Sequence, residues 1–384
     1  MAKPAIEVRR FGQSIWLDSI SRDMLTSGEF RRLVEQEGVS GCTSNPTIFD
    51  KAISGSSAYD DQIATLAAAG RDADAIFDEL ARADLQDAAD TLRPVHDDTG
   101  GNDGFVSWEV SPELAYDTEA TMREVRRLWA LLDRPNALIK IPATRAGLSA
   151  IHEMLYEGIN VNITLLFSIT RYEEVMEAYL SALERRLAEG KPVDRIRSVA
   201  SFFVSRVDTL VDKQLDAMME RASPAERQRL AALRSKVAIA NAKLAYQRFK
   251  QIFAGPRWEA LRARGAALQR PLWASTSTKD PSLPDTYYVD NLIGPHTVNT
   301  VPPHTLAAFN DHGRVAPTLE EGLAEAQEIM DRLAEVGIDI VAVTDQLERE
   351  GVRAFADSFV ALRNTIDEKR ARLRAGTEAA PRPF

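Results

Sequence analysis

The stretch ALIKIPA, residues 137–143, sets a lysine among apolar residues on both alternating faces: Ala137, Ile139 and Ile141 on one, Leu138 beside Lys140 on the other. A strand apolar on both faces belongs inside a sheet covered on both sides, and such sheets are parallel ones flanked by helices. Seven other short runs bounded by turn chemistry read the same way: Ser14–Ser19, Val39–Asn45, Phe105–Val110, Val161–Phe167, Ser198–Ser205, Pro271–Thr276 and Thr297–Val301. Between them the apolar residues recur at helical spacing, as in Met122, Val125, Trp129 and Leu132, or Tyr172, Val175, Tyr179, Leu183 and Leu187. Eight strands alternating with helices are what a closed parallel (β/α)8 TIM barrel requires, with an open doubly wound sheet as the alternative.

The barrel reading makes residues 1–374 a single α/β domain. Helical insertions are expected near 54–100, holding about two helices, and near 206–268, a stretch interrupted at Ser223-Pro224. Further helices are expected near 318–336 and 345–374. The tail 375–384, ending GTEAAPRPF, lacks periodicity and is expected to be flexible.

The 384 residues include 47 Lys+Arg against 57 Asp+Glu, a net charge of −10. An acidic balance argues against nucleic acid or an anionic membrane as the main partner, because both attract positive surface. A local basic pocket for a small anion stays compatible with it. The single cysteine, Cys42, allows neither an intramolecular disulfide nor a cysteine metal cage, and fits a reducing, cytoplasmic location. The N-terminus has no apolar signal core, and no run reaches the roughly 18 apolar residues that span a bilayer.

In barrels of this type chemistry gathers at the C-terminal ends of the strands. There the chain carries Asp18, Asn45, Glu109, Lys140, Asn162, Thr164, Ser201, Arg206, Ser275 and Lys279. Lys140 is the most informative. Burial disfavours an ammonium, and the neutral amine it releases is a Schiff-base nucleophile; the alternative is a lysine whose head escapes to solvent. Asp18 and Glu109 suit general acid–base work, or else a helix N-cap and a salt-bridged strand end respectively. Asn45 before Pro46 also fits plain turn chemistry. Arg206 and Lys279 suit an anion clamp, the first as a bidentate fork and the second as a point charge. Cys42 reads as a packed residue without a catalytic role. The five histidines form no HxH or HExxH pattern, and no GxGxxG, GxxxxGK[ST] or GxSxG occurs, so neither a metal nor a nucleotide cofactor is expected.

The segments TSNPTIF (43–49), SWEVSP (107–112), LIKIPAT (138–144), NVNITLLFS (160–168), SFFVSR (201–206) and WASTSTKDP (273–281) resemble, in order and strand by strand, the motifs of the transaldolases. The similarity runs from about residue 12 to 310 and is to the longer form of actinobacteria, cyanobacteria and plants. It implies a cofactor-free barrel that moves a dihydroxyacetone unit from sedoheptulose 7-phosphate to glyceraldehyde 3-phosphate, giving erythrose 4-phosphate and fructose 6-phosphate in the non-oxidative pentose phosphate pathway. By the same resemblance Lys140 is the Schiff-base lysine, Glu109 works through a water held by Thr164, and Asp18 relays the proton in carbon–carbon cleavage. Asn45, Asn162 and Ser201 bind the dihydroxyacetone end, and Arg206 the phosphate. Shorter family members carry an arginine two residues beyond the serine matched by Ser275; here Thr276-Ser277-Thr278-Lys279 stands instead, which makes Lys279 the candidate for that charge.

Phosphorylated sugars are thus the expected partners, and monomer and homodimer both stay open. Two enzyme rivals are a fructose-6-phosphate aldolase that releases free dihydroxyacetone and a barrel glycoside hydrolase using Asp18 and Glu109. The hydrolase leaves Lys140 unexplained. A non-catalytic sugar-phosphate-binding barrel is the rival from another class.

Overall fold

The structure is a computed structural model that describes residues 2–378, with side chains to residue 374. All eight expected strands form: β1 (Gln13–Leu17), β2 (Val39–Thr43), β3 (Val106–Glu109), β4 (Ala137–Pro142), β5 (Val161–Leu166), β6 (Ser198–Phe203), β7 (Arg270–Ala274) and β8 (Thr297–Val301). Each pairs in parallel with its sequence neighbours, and β1 closes on β8, so the sheet is a barrel and not the open alternative.

Every strand residue is buried except Arg270, which is half-buried. Fully burying side chains such as Ile139, Ile141 and Ile163 stabilises the fold by roughly 1.5–3 kcal/mol each. Several strands stop one or two residues short of the expected bounds. The polar residues after them leave the ladder to bond elsewhere: Asn45 caps the Pro46–Ser54 helix by accepting from the Ile48 amide. The expectation of strands apolar on both faces also needs correction. Gln13, Ser107, Lys140, Asn162, Ser201 and Asn299 are all buried strand residues, so the barrel interior is strongly polar.

The insertion near 54–100 holds the helices Asp60–Ala68 and Ala73–Asp98. The insertion near 206–268 holds four, and the break at Ser223-Pro224 is the start of one of them: Ser223 and Glu226 form a capping box with proline in the first turn. The last helix, Ile340–Glu378, begins earlier than expected and continues into the segment anticipated as a tail. Residues 379–384 of that segment lie outside the described residues.

The C-terminal helix crosses the end of the barrel where the chemistry was expected. It packs closely at Gly351, where a Cβ would lie 2.8 Å from Cδ2 of Leu165 and would make that side chain shift. A glycine inside a helix costs about 1 kcal/mol relative to alanine, so the close packing offsets that cost. Leu165 itself sits at φ 55°, where the β5–β6 register shifts between Ile163 and Leu166. Such a bulge re-aims neighbouring side chains and is common beside active sites.

Candidate active site

Register places the central residues side by side. Glu109 of β3 pairs with Lys140 of β4, and Lys140 with Asn162 of β5, so three polar side chains occupy one level of the barrel. Lys140 is only 5% exposed, and its head does not escape to solvent. Its Nζ donates to the Ser44 carbonyl at 3.1 Å and lies 3.5 Å from Oε2 of Glu109.

Burial pushes the Glu109 carboxyl up, Lys140 opposes this, and the Asp18 charge adds to it. Oε2 of Glu109 and Oγ1 of Thr164 are both buried without a hydrogen-bond partner among the described residues. Buried polar atoms are nearly always satisfied, so this pair marks a place for a water or a substrate oxygen. An ion pair taken out of water is weak evidence for stability, and perturbed buried charges cluster where chemistry is done.

Around this centre the barrel opens into a cavity of about 360 Å³ whose lining includes Asp18, Asn45, Lys140, Thr164, Ser201 and Arg206. Ser275 and Lys279 line it as well. Of the ten residues singled out in the sequence, only Glu109 and Asn162 do not line the open space; both sit directly against residues that do. Asn162 is held from two sides, donating to Ser107 Oγ at 3.0 Å and accepting from Ser201 Oγ at 2.7 Å. This bridge links β3, β5 and β6 across the interior.

Asp18 is not a helix cap, since Ser21 caps the Arg22–Thr26 helix. Its Oδ1 accepts from Thr43 Oγ1 at 2.6 Å, and that hydroxyl is 2.7 Å from Thr300 Oγ1. Asn45 is both cap and cavity wall: it caps its helix as the turn reading expects, and it also lines the cavity. Cys42 is buried, and burial with the nearby Asp18 charge pushes its thiol up, which makes it inert.

The outer part of the cavity is cationic. Arg206 lies in the first turn of the Ser205–Met219 helix, its guanidinium carbon 5.2 Å from the Phe203 ring centroid and 5.8 Å from that of Phe355. Burial lowers its pKa, with Asp18 and Glu109 opposing. Lys279 donates to Ser277 Oγ at 2.7 Å; burial and then the charges of Arg206 and Lys51 lower its pKa. The loop between them is fixed by Ser275, a non-glycine residue at φ 56°, whose Oγ is 2.9 Å from Ser205 Oγ.

The sequence reading missed Lys51, His304 and Phe355, which also line the cavity, as does Ser277. Lys51 follows Thr47 by one helical turn, and that spacing was the available signal. A separate cavity of about 500 Å³ lies at the N-terminal ends of the strands. There Arg270 is tied to Ser14 Oγ at 2.7 Å and the Thr297 carbonyl at 2.6 Å, the kind of stitching that supports a barrel floor. Among the described residues no group of three or more His, Cys, Asp or Glu side chains is placed to hold a metal ion.

A lysine amine, two carboxylates and a cationic rim at one barrel mouth can form an imine with a phosphorylated carbonyl compound and move protons around it. Comparison with known proteins agrees. The family model described as Transaldolase/Fructose-6-phosphate aldolase matches residues 15–366. The chain is 50% identical over 375 residues to the transaldolase of Acidothermus cellulolyticus, covering 97% of this chain and 99% of that protein. It is 49% identical over 379 residues to the transaldolase of Frankia alni, 98% of this chain and 100% of the relative. Similarity to Transaldolase 2 of a Nostoc species is 48% over 368 residues, 95% and 97% of the two chains. With a match over nearly its whole length and the lysine-centred barrel mouth in place, the chain belongs to the transaldolase/fructose-6-phosphate aldolase family.

Proposed function

We propose that the chain is a transaldolase that transfers a dihydroxyacetone unit from sedoheptulose 7-phosphate to glyceraldehyde 3-phosphate, with Lys140 as its Schiff-base nucleophile. The observation that carries this reading is the buried Lys140 amine, 3.5 Å from a carboxylate whose own pKa burial pushes up. The amine attacks C2 of the ketose. Glu109, through a water that Thr164 Oγ1 also holds, moves the protons that let hydroxide leave as water and form the protonated imine.

Asp18 then takes the proton of the C4 hydroxyl, the C3–C4 bond breaks, and its electron pair enters the imine to give an enamine. The phosphorylated aldehyde departs. The enamine attacks C1 of glyceraldehyde 3-phosphate, Asp18 returns its proton to the new hydroxyl, and hydrolysis of the imine releases fructose 6-phosphate. The imine supplies the electron sink throughout. Asn45, Asn162 and Ser201 orient the dihydroxyacetone hydroxyls, and Arg206 with Lys279 grips the phosphate.

The carboxylate of Glu109 beside the amine supports transfer over simple aldol cleavage. The test is a pair of assays on the purified protein. Transfer from sedoheptulose 7-phosphate to glyceraldehyde 3-phosphate should be fast, while fructose 6-phosphate without an acceptor should release little free dihydroxyacetone. Rapid release with slow transfer would favour the aldolase rival.

A further inference from the structure

Lys51 stands apart from the other cations of the cavity. It lies in the Pro46–Ser54 helix after β2, whereas Arg206 and Lys279 follow β6 and β7. In the closed order of strands, β8 and β1 separate β2 from β7, so Lys51 reaches the mouth from the other side. All three cations nevertheless line one cavity. The Lys51 ammonium makes no hydrogen bond or ion pair among the described residues and is exposed at the cavity. Lys51 and Lys279 line the same cavity, and the Lys51 charge acts on the Lys279 ammonium.

The three cations differ in depth and freedom. Arg206 is half-buried and held between Phe203 and Phe355. Lys279 is exposed but tethered to Ser277. Lys51 is exposed and untethered, on a stem of four methylenes.

The reaction proposed above, on which this inference rests, uses two ketose phosphates anchored at the same carbon. Both bind Lys140 through C2. The seven-carbon donor then carries its phosphate one carbon farther from the anchor than the six-carbon one, and so nearer the rim. A single rigid clamp cannot hold both equally well. We propose that Lys51 is a specificity-determining residue that completes the phosphate site for the seven-carbon ketose phosphate, while Arg206 serves both donors. Lys51 meets the displaced phosphate from the side opposite Lys279 and lets one cavity accept two reaches.

Replacement of Lys51 by methionine keeps the length and removes the charge. In Lys51→Met, kcat/KM for sedoheptulose 7-phosphate should fall about tenfold and for fructose 6-phosphate no more than about threefold, with the loss falling mainly on KM. Lys51→Arg should recover most of the seven-carbon activity. Equal losses on the two donors, or no loss on either, would overturn the inference. Borohydride trapping of wild-type Lys140 separates this from the broader reading. If wild type traps the sugar at Lys140 and Lys51→Met treats both donors as wild type does, only the role of Lys51 fails. If wild type forms no adduct at Lys140, the Schiff-base function fails and the inference falls with it.

Discussion

Arg206 holds a position that a lysine would fill poorly. Its planar guanidinium lies against two aromatic rings, Phe203 and Phe355, and makes no ion pair among the described residues, so its five donors stay available to an incoming anion. Asp18 and Glu109 act on it from deeper in the barrel and favour its charged form without neutralising it by contact. Arg206→Ala should therefore cost about 2–4 kcal/mol in kcat/KM for fructose 6-phosphate and far less for unphosphorylated fructose. Steady-state kinetics on the two sugars decide the matter. Equal losses would mean that the arginine supports the fold or the reacting end and not the phosphate. Lys140, Glu109 and Arg206 were all singled out in the sequence, by their place at strand ends and by the resemblance of the motifs that hold them, although each also had an ordinary explanation. Lys51 was not, since a lysine in a short helix is usually solvated, and only the closed barrel shows where its head goes.

At the level of elements, the helix that carries Arg206 is anchored two residues further on. Asp208 is buried; it accepts from the Ala238 amide at 2.7 Å and from Tyr288 Oη at 2.9 Å, and so joins this helix to the start of the Val237–Ile252 helix and to the Tyr287–Asp290 turn of helix. Burial raises its carboxyl from 3.8 to about 7, with Asp212 adding to the shift and the Ala238 amide opposing it. A carboxyl raised on folding holds its proton in the native state over a range where the unfolded chain has released it. Its contribution to stability is then complete below about pH 4 and declines as pH rises towards 7. Relative to wild type, Asp208→Asn should gain stability over that interval, on the order of 2–4 kcal/mol, while keeping an acceptor for the Ala238 amide. Urea unfolding of both proteins from pH 4 to 8 measures it, and parallel pH curves would refute the assignment. The strands themselves were readable from their apolar runs, and the break at Ser223-Pro224 from its Ser-Pro punctuation. The bulge at Leu165 was not, because a leucine at positive φ leaves no trace in composition; its side chain packs against Gly351 of the C-terminal helix.

On the scale of the whole molecule, a net charge of −10 surrounds a mouth lined by Arg206, Lys279 and Lys51. Anionic sugars are repelled by the general surface and drawn to the cleft where these cations converge, so the acidic composition and an anionic substrate are compatible. Closure of the barrel completes the site: Glu109 and Lys140 are already neighbours on β3 and β4, and the closed sheet brings Asp18 after β1 and Arg206 after β6 to the same mouth. No local motif predicts that meeting; the alternation of strands and helices does. All of the proposed chemistry depends on one covalent bond between the Lys140 amine and the substrate. Borohydride reduction of the protein in the presence of fructose 6-phosphate, followed by peptide mass mapping, tests it directly. A dihydroxyacetone-derived mass should appear on the peptide containing Lys140 and be absent from Lys140→Arg, which should also lose turnover because a guanidinium stays protonated. An adduct on another lysine, or no adduct in an active protein, would contradict the account.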